Sequence, residues 1–343
     1  MILLTGRLTA IEPLHLGSGV TIGTFSPTLS YIPARTLRGM LGNYLFHQDG
    51  KNLFRELCLS DDKNPGMWFK PSLPADSVAS PLAIRWCKRC GRILDSDSCC
   101  PDDYQEGSRK DGFVLWKSFS DGVYSEASVA KSISTKCPIH PERHATYTAE
   151  EELSPYNVEA ILAGTVFDFR AVVPKDYLDS IKDSLWKAGI FYGVGGFRTR
   201  GYGMVRFEFH DQNESVEEYV RRRSKEIDEN SLMVLNSPTV LRKDGKYFVG
   251  LEEDVLNRYI CSLAKTKGVE CKFTLKRSHI GVDYVRGWRI TQRSYVDKLV
   301  PALKQGCSAY VDVKPELAAL LEVYGLGEMN HIHGDVYFTR EVG

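Results

Sequence analysis

The feature that most constrains the fold is a glycine-rich segment, GVGGFRTRGYG, at positions 193–203. Glycine tolerates positive φ angles and lets a backbone approach a ligand closely, so this segment predicts a tight loop. Its two arginines supply planar guanidinium groups that suit phosphate oxygens, and its tyrosine is a ring that we expect to stack on a base. The spacing fits neither GxxxxGK(S/T) nor GxGxxG, which excludes nucleotide-binding loops of those types. The predicted binding residues are Gly195, Gly196, Arg198, Arg200, Gly201 and Tyr202, and a glycine hairpin with solvated arginines is the alternative.

Regular elements surround this loop in an order that predicts a ferredoxin-like unit. Residues 2–11 alternate in polarity as a half-buried strand does, and a helix with one apolar stripe begins at Pro33. A second alternating strand runs through 166–173, a helix follows Pro174, and a last strand follows the glycine loop. Strand, helix, strand, helix, glycine loop and strand in this order are compatible with the RRM topology.

The remaining sequence predicts an insertion, a linker and a second copy of the same fold. Residues 51–160 are rich in Asp, Ser, Pro and Lys and are predicted to be mostly an insertion, while the charged stretch 211–230 is a linker or a solvated helix. We therefore expect an α+β chain of two ferredoxin-like units, residues 1–210 and 231–343, with a zinc-binding insertion in the first. The second half is predicted to contain strands near 231–241, 269–278 and 282–291, a helix with Leu256, Ile260 and Leu263, helices near 294–304 and 315–324 around an apolar stretch at 307–313, and a strand after the segment GLGEMNHIHG.

A second candidate site lies in the segment IPARTLRG at positions 32–39. A helix that begins at Pro33 leaves unpaired N–H groups near Arg35 and Thr36, which is an anion-binding geometry. Arg38 lies about one turn further along the same face. An ordinary amphipathic helix with exposed arginines is the alternative.

Clustered cysteines predict a structural zinc site in the insertion. Cys87 and Cys90 form a C-x2-C pair followed by glycine, and two further ligands would complete a tetrahedron. Cys100 and Cys137 are the favoured partners, because each precedes a proline, with Cys99 and His140 as the alternates. No Glu stands in a catalytic zinc pattern, so the metal is expected to staple the insertion. The other cysteines, Cys58, Cys261, Cys271 and Cys307, are predicted to be core or strand residues.

Together, IPARTLRG and GGFRTRGYG resemble the RAMP superfamily of CRISPR-associated proteins, in which an IPxSxLRG helix start and a GxRxRGYG loop occur in this order. The N-terminal LTAIEPLHLGSG, the SYIPARTLRGML block and the cysteine-bearing insertion are most similar to the Csx-ten group, the Cas-five-like subunit of type III-D effectors. This resemblance implies a structural subunit that holds the 5′ repeat-derived handle of a CRISPR guide RNA. It also implies contacts with the large polymerase-like subunit and the backbone RAMP subunits of the effector complex.

Two alternatives belong to other functional classes. One is a metal-independent endoribonuclease that trims the guide precursor with a helix histidine such as His47. The length of the chain and its cysteine-rich insertion argue against this alternative. The other is a backbone RAMP subunit that lines the guide–target duplex, and the second glycine-containing segment argues against it.

Bulk properties set the remaining limits. Lys plus Arg and Asp plus Glu each number 44, so the net charge of zero counts against nucleic-acid binding by bulk charge alone. The N-terminus lacks the pattern of a signal peptide, and no apolar run is long enough to span a membrane. We therefore expect a cytoplasmic protein with no membrane partner, in a reducing compartment where clustered cysteines bind metal more often than they form disulfides.

Overall fold

The computed structural model describes residues 1–17, 19, 21–48, 51–58, 66–84, 86–87, 107–108, 115–118, 124–137, 155–285, 299–328 and 334–340. The N-terminal half contains β1 (Ile2–Ala10), β2 (Phe25–Ser26), α1 (Ala34–His47), α2 (Lys51–Cys58), β3 (Trp68–Phe69), β4 (Ser77–Ala79), β5 (Trp86–Cys87), β6 (Gly107–Ser108), β7 (Leu115–Ser118), β8 (Tyr124–Ala127), β9 (Lys131–Lys136), β10 (Tyr156–Ile161), β11 (Val166–Val173), α3 (Leu178–Phe191) and β12 (Val205–Phe209). The C-terminal half contains β13 (Glu214–Ser215), α4 (Val216–Arg223), β14 (Asn230–Leu235), β15 (Leu241–Lys243), β16 (Lys246–Phe248), α5 (Glu253–Lys267), β17 (Phe273–His279), β18 (Val282–Val285), β19 (Val300–Leu303), β20 (Ser308–Val313), α6 (Pro315–Tyr324) and β21 (Val336–Arg340).

The first unit has the strand order β12-β1-β11-β3, with every neighbouring pair antiparallel. This is the order of a ferredoxin-like sheet, with β3 as its second strand. One face of the sheet packs on α1 and α3, because the alternation in β1 directs Leu4 and Leu8 into the same core as Leu41 and Leu185. The helix of the IPARTLRG segment begins as predicted, with Pro33 as its N-cap.

The second unit repeats this arrangement. Its strand order is β17-β20-β14-β21, again antiparallel throughout, and α5 and α6 contribute to its core. Buried side chains from both helices and from β14 and β20 belong to one cluster, among them Ile260, Leu321, Met233 and Val311. The prediction of an α+β chain with antiparallel sheets is confirmed in the described residues.

Three local predictions were wrong. Trp68 and Phe69 lie inside the predicted insertion but form the second strand of the first sheet. Residues 300–303, within the predicted helix 294–304, form strand β19, which pairs with β18. The stretch 211–230, predicted to be a linker or a solvated helix, contains helix α4, but its Val216 and Val220 are buried in the C-terminal core.

The two units share an apolar and ionic junction. The second face of the first sheet contributes Trp68 to the core of the C-terminal unit, where its ring meets Tyr324 edge-on at a centroid distance of 5.2 Å. Beside this contact the fully buried Asp335 carboxylate lies 2.9 Å from Lys70 Nζ and 3.5 Å from Arg170 Nη2. Asn236 Nδ2 also donates a hydrogen bond to this carboxylate at 3.1 Å. The N-terminal sheet and the segment before β21 are therefore held together by buried charges of opposite sign.

One pair of cysteines differs from the sequence prediction. Cys261 on α5 and Cys271, two residues before β17, form a disulfide with their Cα atoms 5.2 Å apart. They were predicted to be separate core or strand residues. Cys307 is buried with a free thiol, as predicted for a core residue.

Among the helices in the described ranges, none combines the length and the apolar character needed to cross a membrane.

Candidate nucleic-acid interface

The glycine-rich segment folds as a rigid loop between α3 and β12. Val194 N donates to Gly203 O at 2.8 Å, and this hydrogen bond closes the loop at its base. Gly203 N donates to Pro13 O at 3.0 Å and Gly196 N to His15 O at 2.9 Å, which fix the loop against the chain after β1. Positive φ angles at 193, 195, 201 and 203 require glycine, as the sequence predicts.

The two loop arginines extend from this base into solvent. Both are exposed, and they lie in a short 3-10 turn, Arg198–Arg200. Arg198 Nη1 donates to the Tyr192 carbonyl oxygen at 3.2 Å, and Arg200 Nη1 donates to the Tyr156 hydroxyl at 2.8 Å. Among the described residues neither guanidinium forms an ion pair, so most of their donors point to no protein acceptor there. Two positioned cations without carboxylate partners are what a phosphate-binding loop requires.

Residues far away in sequence complete the surface of the loop. The ring of Phe197 lies at 22° to the ring of Tyr156 with 6.4 Å between centroids, and the Arg200 guanidinium carbon is 5.7 Å from the Phe197 centroid. Lys136, at the end of β9, places its ammonium 5.2 Å from the centroid of Tyr202. Sequence reasoning missed Lys136 and Tyr156 because only the pairing of β9 with β10 brings them to the loop. The left-handed φ of +57° at Phe197 is a further feature of the site that the sequence did not predict.

Tyr202 differs from its predicted role. It is only 9% exposed, and its ring packs against Phe197 at a centroid distance of 6.0 Å. Its hydroxyl lies 3.1 Å from Ser134 Oγ, and this hydrogen bond together with nearby Lys136 lowers the pKa of the phenol. A buried ring with its hydroxyl already paired offers no free face to a base, so Tyr202 supports the loop from beneath.

The second predicted site, at the start of α1, combines a helix N-terminus with a partly buried cation. The Thr36 N–H was predicted to be unpaired, but it donates to Pro33 O at 2.9 Å, while Arg38 is half-buried. Arg35 Nη1 is buried without a hydrogen-bond acceptor among the described residues. Burial lowers the pKa of Arg35, and the neighbouring Tyr31 partly offsets this effect. An inward-facing donor without an acceptor is costly unless a ligand or water satisfies it.

Other surfaces are less suited to an anion. On the exposed surface of the first sheet's strands, Arg7 pairs with Asp76 at 3.5 Å and Arg206 pairs with Glu208 at 2.8 Å. The described start of the second glycine-containing segment lies against the chain after β14, where Glu328 N donates to Val240 O at 2.9 Å, just as the first loop lies against the chain after β1. There, however, the carboxylate of Glu328 accepts a hydrogen bond from Tyr259 at 2.8 Å and lies 3.8 Å from Arg242. The first loop is therefore the better phosphate site.

The predicted zinc ligands fall mostly outside the described residues. Cys90, Cys99, Cys100 and His140 lie there, and only the backbone of Cys87, in β5, is described. Cys137 is an exposed free thiol directly after β9. Within the described part of the chain, no three His, Cys, Asp or Glu side chains are grouped as a metal site.

Comparison with known proteins identifies the superfamily to which the chain belongs. The model of the RAMP superfamily matches residues 7–206, more than half of the chain, and the chain therefore belongs to the RAMP superfamily. A comparison with curated protein sequences finds no significant match.

Several solved structures are similar in outline. A chain of the type III-B Cmr-beta complex bound to cognate target RNA is 16% identical with a TM-score of 0.38, over 62% of this chain and 60% of that one. A Cas6 product complex is 8% identical with a TM-score of 0.44, over 99% of this chain and 100% of that one. A Cas6-related protein from Pyrococcus furiosus is 13% identical with a TM-score of 0.42, over 98% and 99%. This chain thus matches 60% of the length of the Cmr-beta chain.

Proposed function

We propose that this RAMP protein is an RNA-binding structural subunit of a type III CRISPR effector complex, of the Csx-ten kind. It grips the 5′ repeat-derived handle of the guide RNA and contacts the large and backbone subunits. The observation that carries the proposal is the pair of exposed, positioned guanidinium groups, Arg198 and Arg200, on a loop fixed by three backbone hydrogen bonds. The net charge of zero agrees with it, because only a local group of cations faces the RNA.

The loop residues divide the work of binding. Arg198 and Arg200 hold phosphates, with Lys136 as a third cation on the same surface. Gly201 lets the backbone approach the strand closely, because a Cβ at this position would meet no atom within 4 Å and the space above it is open to a ligand. Gly195 and Gly196, which were predicted to have the same role, instead face His15, so they allow the loop to pack against the chain after β1. Arg35, Thr36 and Arg38 form a second phosphate contact at the start of α1.

The test is guide-handle affinity at several salt concentrations for wild type and Arg200→Ala. Loss of one phosphate contact should weaken binding for all sequences, and should flatten the log–log salt dependence by roughly 0.7 for a single strand. Arg206→Ala is the matched control, because Arg206 is an exposed arginine on β12 that is already paired with Glu208. Equal affinities and slopes for all three proteins would rule out the glycine loop as the RNA site.

Two alternative functions, a backbone RAMP subunit and an endoribonuclease, differ from the proposed role in features that can be checked. A backbone subunit of the RAMP class is expected to have one RRM core, whereas two ferredoxin-like sheets are present here. The endoribonuclease alternative depends on His47, which is exposed at the end of α1. The isolated chain is expected not to cleave a repeat transcript, and cleavage that disappears in His47→Ala would favour the enzyme.

Zinc remains part of the proposal. We expect about one zinc per chain, held by Cys87, Cys90, Cys100 and Cys137, since structural sites take four ligands. The exposed thiol of Cys137 directly follows Lys136, so this ligand would tie the metal to the chain beside the loop. Elemental analysis of wild type and of a Cys87→Ser/Cys90→Ser variant tests this, and a metal-free wild type with full RNA binding would contradict it.

A further inference from the structure

Three aromatic side chains form a continuous row beside the glycine loop. Phe46 and His47 end helix α1, and their rings meet edge-on at a centroid distance of 5.4 Å. His47 in turn lies nearly parallel to Tyr192, at 16° and 6.2 Å, directly after α3. Tyr44 supports Tyr192 edge-on from the buried side at 5.8 Å, and Phe54 supports Phe46 at 5.6 Å. The row of Phe46, His47 and Tyr192 is therefore held rigidly by rings from the core.

Phe46 of this row and two further aromatic side chains on the same pair of helices are exposed to an extent that folding does not explain. Phe46 is 49% exposed, Phe191 is 72% exposed and Trp186 is 46% exposed. Among the described residues these are the exposed phenylalanines and tryptophans, and all three lie on α1 or α3. Exposed phenylalanine and tryptophan side chains that are confined to one pair of helices favour an interaction site over random surface composition.

The charges around the row favour a nucleic acid over a protein as the occupant. Arg198 donates to the Tyr192 carbonyl at 3.2 Å, so a phosphate-binding guanidinium stands at one end of the row. The nearby carboxylates are already engaged, since Glu56 accepts a hydrogen bond from Tyr177 and Asp183 pairs with Lys187. Flat rings beside a cation are a pattern that binds single strands, because every base has a π face.

We propose that consecutive bases of single-stranded RNA stack on Phe46, His47 and Tyr192 while a phosphate at the Tyr192 end of the row binds Arg198. This assigns base stacking to the ends of α1 and α3, replacing the buried Tyr202, and it extends the RNA path from the glycine loop across α1. The inference rests on the proposed function in one respect, namely that RNA is the ligand.

The test uses a single-stranded RNA of about 12 nucleotides, a length typical of such sites, that carries 2-aminopurine and is bound to the full chain. Phe46→Ala and His47→Ala should each lower affinity by roughly 5-fold to 150-fold and restore the fluorescence that stacking quenches, with no change in salt slope. His47→Phe should bind like wild type, because it keeps a ring. Tyr247→Ala is the control, an exposed aromatic of the C-terminal unit at 39% exposure, and thermal unfolding shows that each variant is folded.

The outcomes separate this inference from the proposed function. If Phe46→Ala and His47→Ala bind like wild type while Arg200→Ala loses affinity, the stacking row is wrong and the glycine loop remains the RNA site. If Arg200→Ala binds normally while the ring variants lose affinity, the row stands and the loop proposal falls. Weaker association of Phe46→Ala with other effector subunits at unchanged RNA affinity would overturn the inference in favour of a protein-binding surface. Loss of affinity in His47→Phe equal to that in His47→Ala would likewise contradict stacking at His47.

Discussion

At the scale of single residues, two glycines of the loop have similar positive φ angles but different surroundings. Gly195 and Gly201 have φ angles of +83° and +77°. A side chain at Gly195 would collide with the carbonyl oxygen of His15, whereas one at Gly201 would meet nothing within 4 Å. Substitutions at the two positions therefore distinguish two effects. Backbone strain would arise at both positions, whereas a steric collision would arise only at Gly195.

We expect Gly201→Ala to lower the free energy of unfolding by roughly 1–2 kcal/mol, the cost of a left-handed conformation for an L residue. Gly195→Ala should cost more, because the loop must also move away from the chain after β1. It should lose RNA affinity as well, since Arg198 and Arg200 move with the loop. Chemical unfolding and RNA binding measured in parallel check this, and equal losses in both variants would show that the contact with His15 is unimportant.

At the scale of secondary-structure elements, the disulfide between Cys261 and Cys271 ties the C-terminal part of α5 to the start of β17. The two cysteines are 10 residues apart in sequence, and a closed loop of this size stabilises a fold by about 2–3 kcal/mol through the unfolded state. A reductant should therefore lower the free energy of unfolding of wild type by about this amount. A Cys261→Ser/Cys271→Ser variant should start lower and show no response. Wild type that is equally stable with and without reductant would mean that the bond does not form.

The elements that the sequence predicts well are those whose pattern is long enough to repeat. The apolar stripe of α1 and the alternation in β1 and β11 extend over several turns or residue pairs, and the structure confirms them. The strand Trp68–Phe69 has only two residues, so it has no period to detect. Residues 300–303 carry an apolar run that periodicity cannot assign to helix or strand, and their pairing with β18 decides the outcome.

The candidate site also has one part that the sequence predicts and another part that only the fold shows. The glycines and arginines of the loop are contiguous in sequence, and their types alone indicate a phosphate-binding loop. Tyr156 and Lys136 reach the loop only through the pairing of β9 with β10, and burial of Tyr202 depends on that same hairpin. Contacts of this kind are set by tertiary structure, so one sequence without the fold could not supply them.

At the scale of the whole molecule, the buried carboxylate of Asp335 joins the two units. Burial alone would raise the pKa of Asp335, but Lys70 and Arg170 outweigh burial and hold the pKa below its usual range. The ionised form is therefore favoured in the folded state. This contribution to stability is fully present above the unfolded pKa of about 3.9 and disappears as the pH falls through the lowered folded pKa.

Asp335→Asn should cost about 3–5 kcal/mol at neutral pH, because it leaves the buried Lys70 without its counter-charge. Its acid unfolding curve should also lose the share of pH dependence that Asp335 provides. Asp183→Asn is the control, since Asp183 forms an exposed pair with Lys187 on α3 and should change stability little. A neutral-pH stability of Asp335→Asn equal to that of the control would show that the ionic junction does not hold the units together.

The first glycine loop has a consequence for exchanging parts between related proteins. Its shape depends on three separate stretches of chain: the loop itself, residues 13–15 against which it hydrogen-bonds, and the β9–β10 hairpin that carries Lys136, Ser134 and Tyr156. In a chimaera that received only the loop from another RAMP protein, the new loop side chains would pack against residues 13–15 and a β9–β10 hairpin that do not match them. The smallest transplantable module is therefore all three stretches together, and the insertion cannot be trimmed back past β9 or β10 without opening the loop on one side.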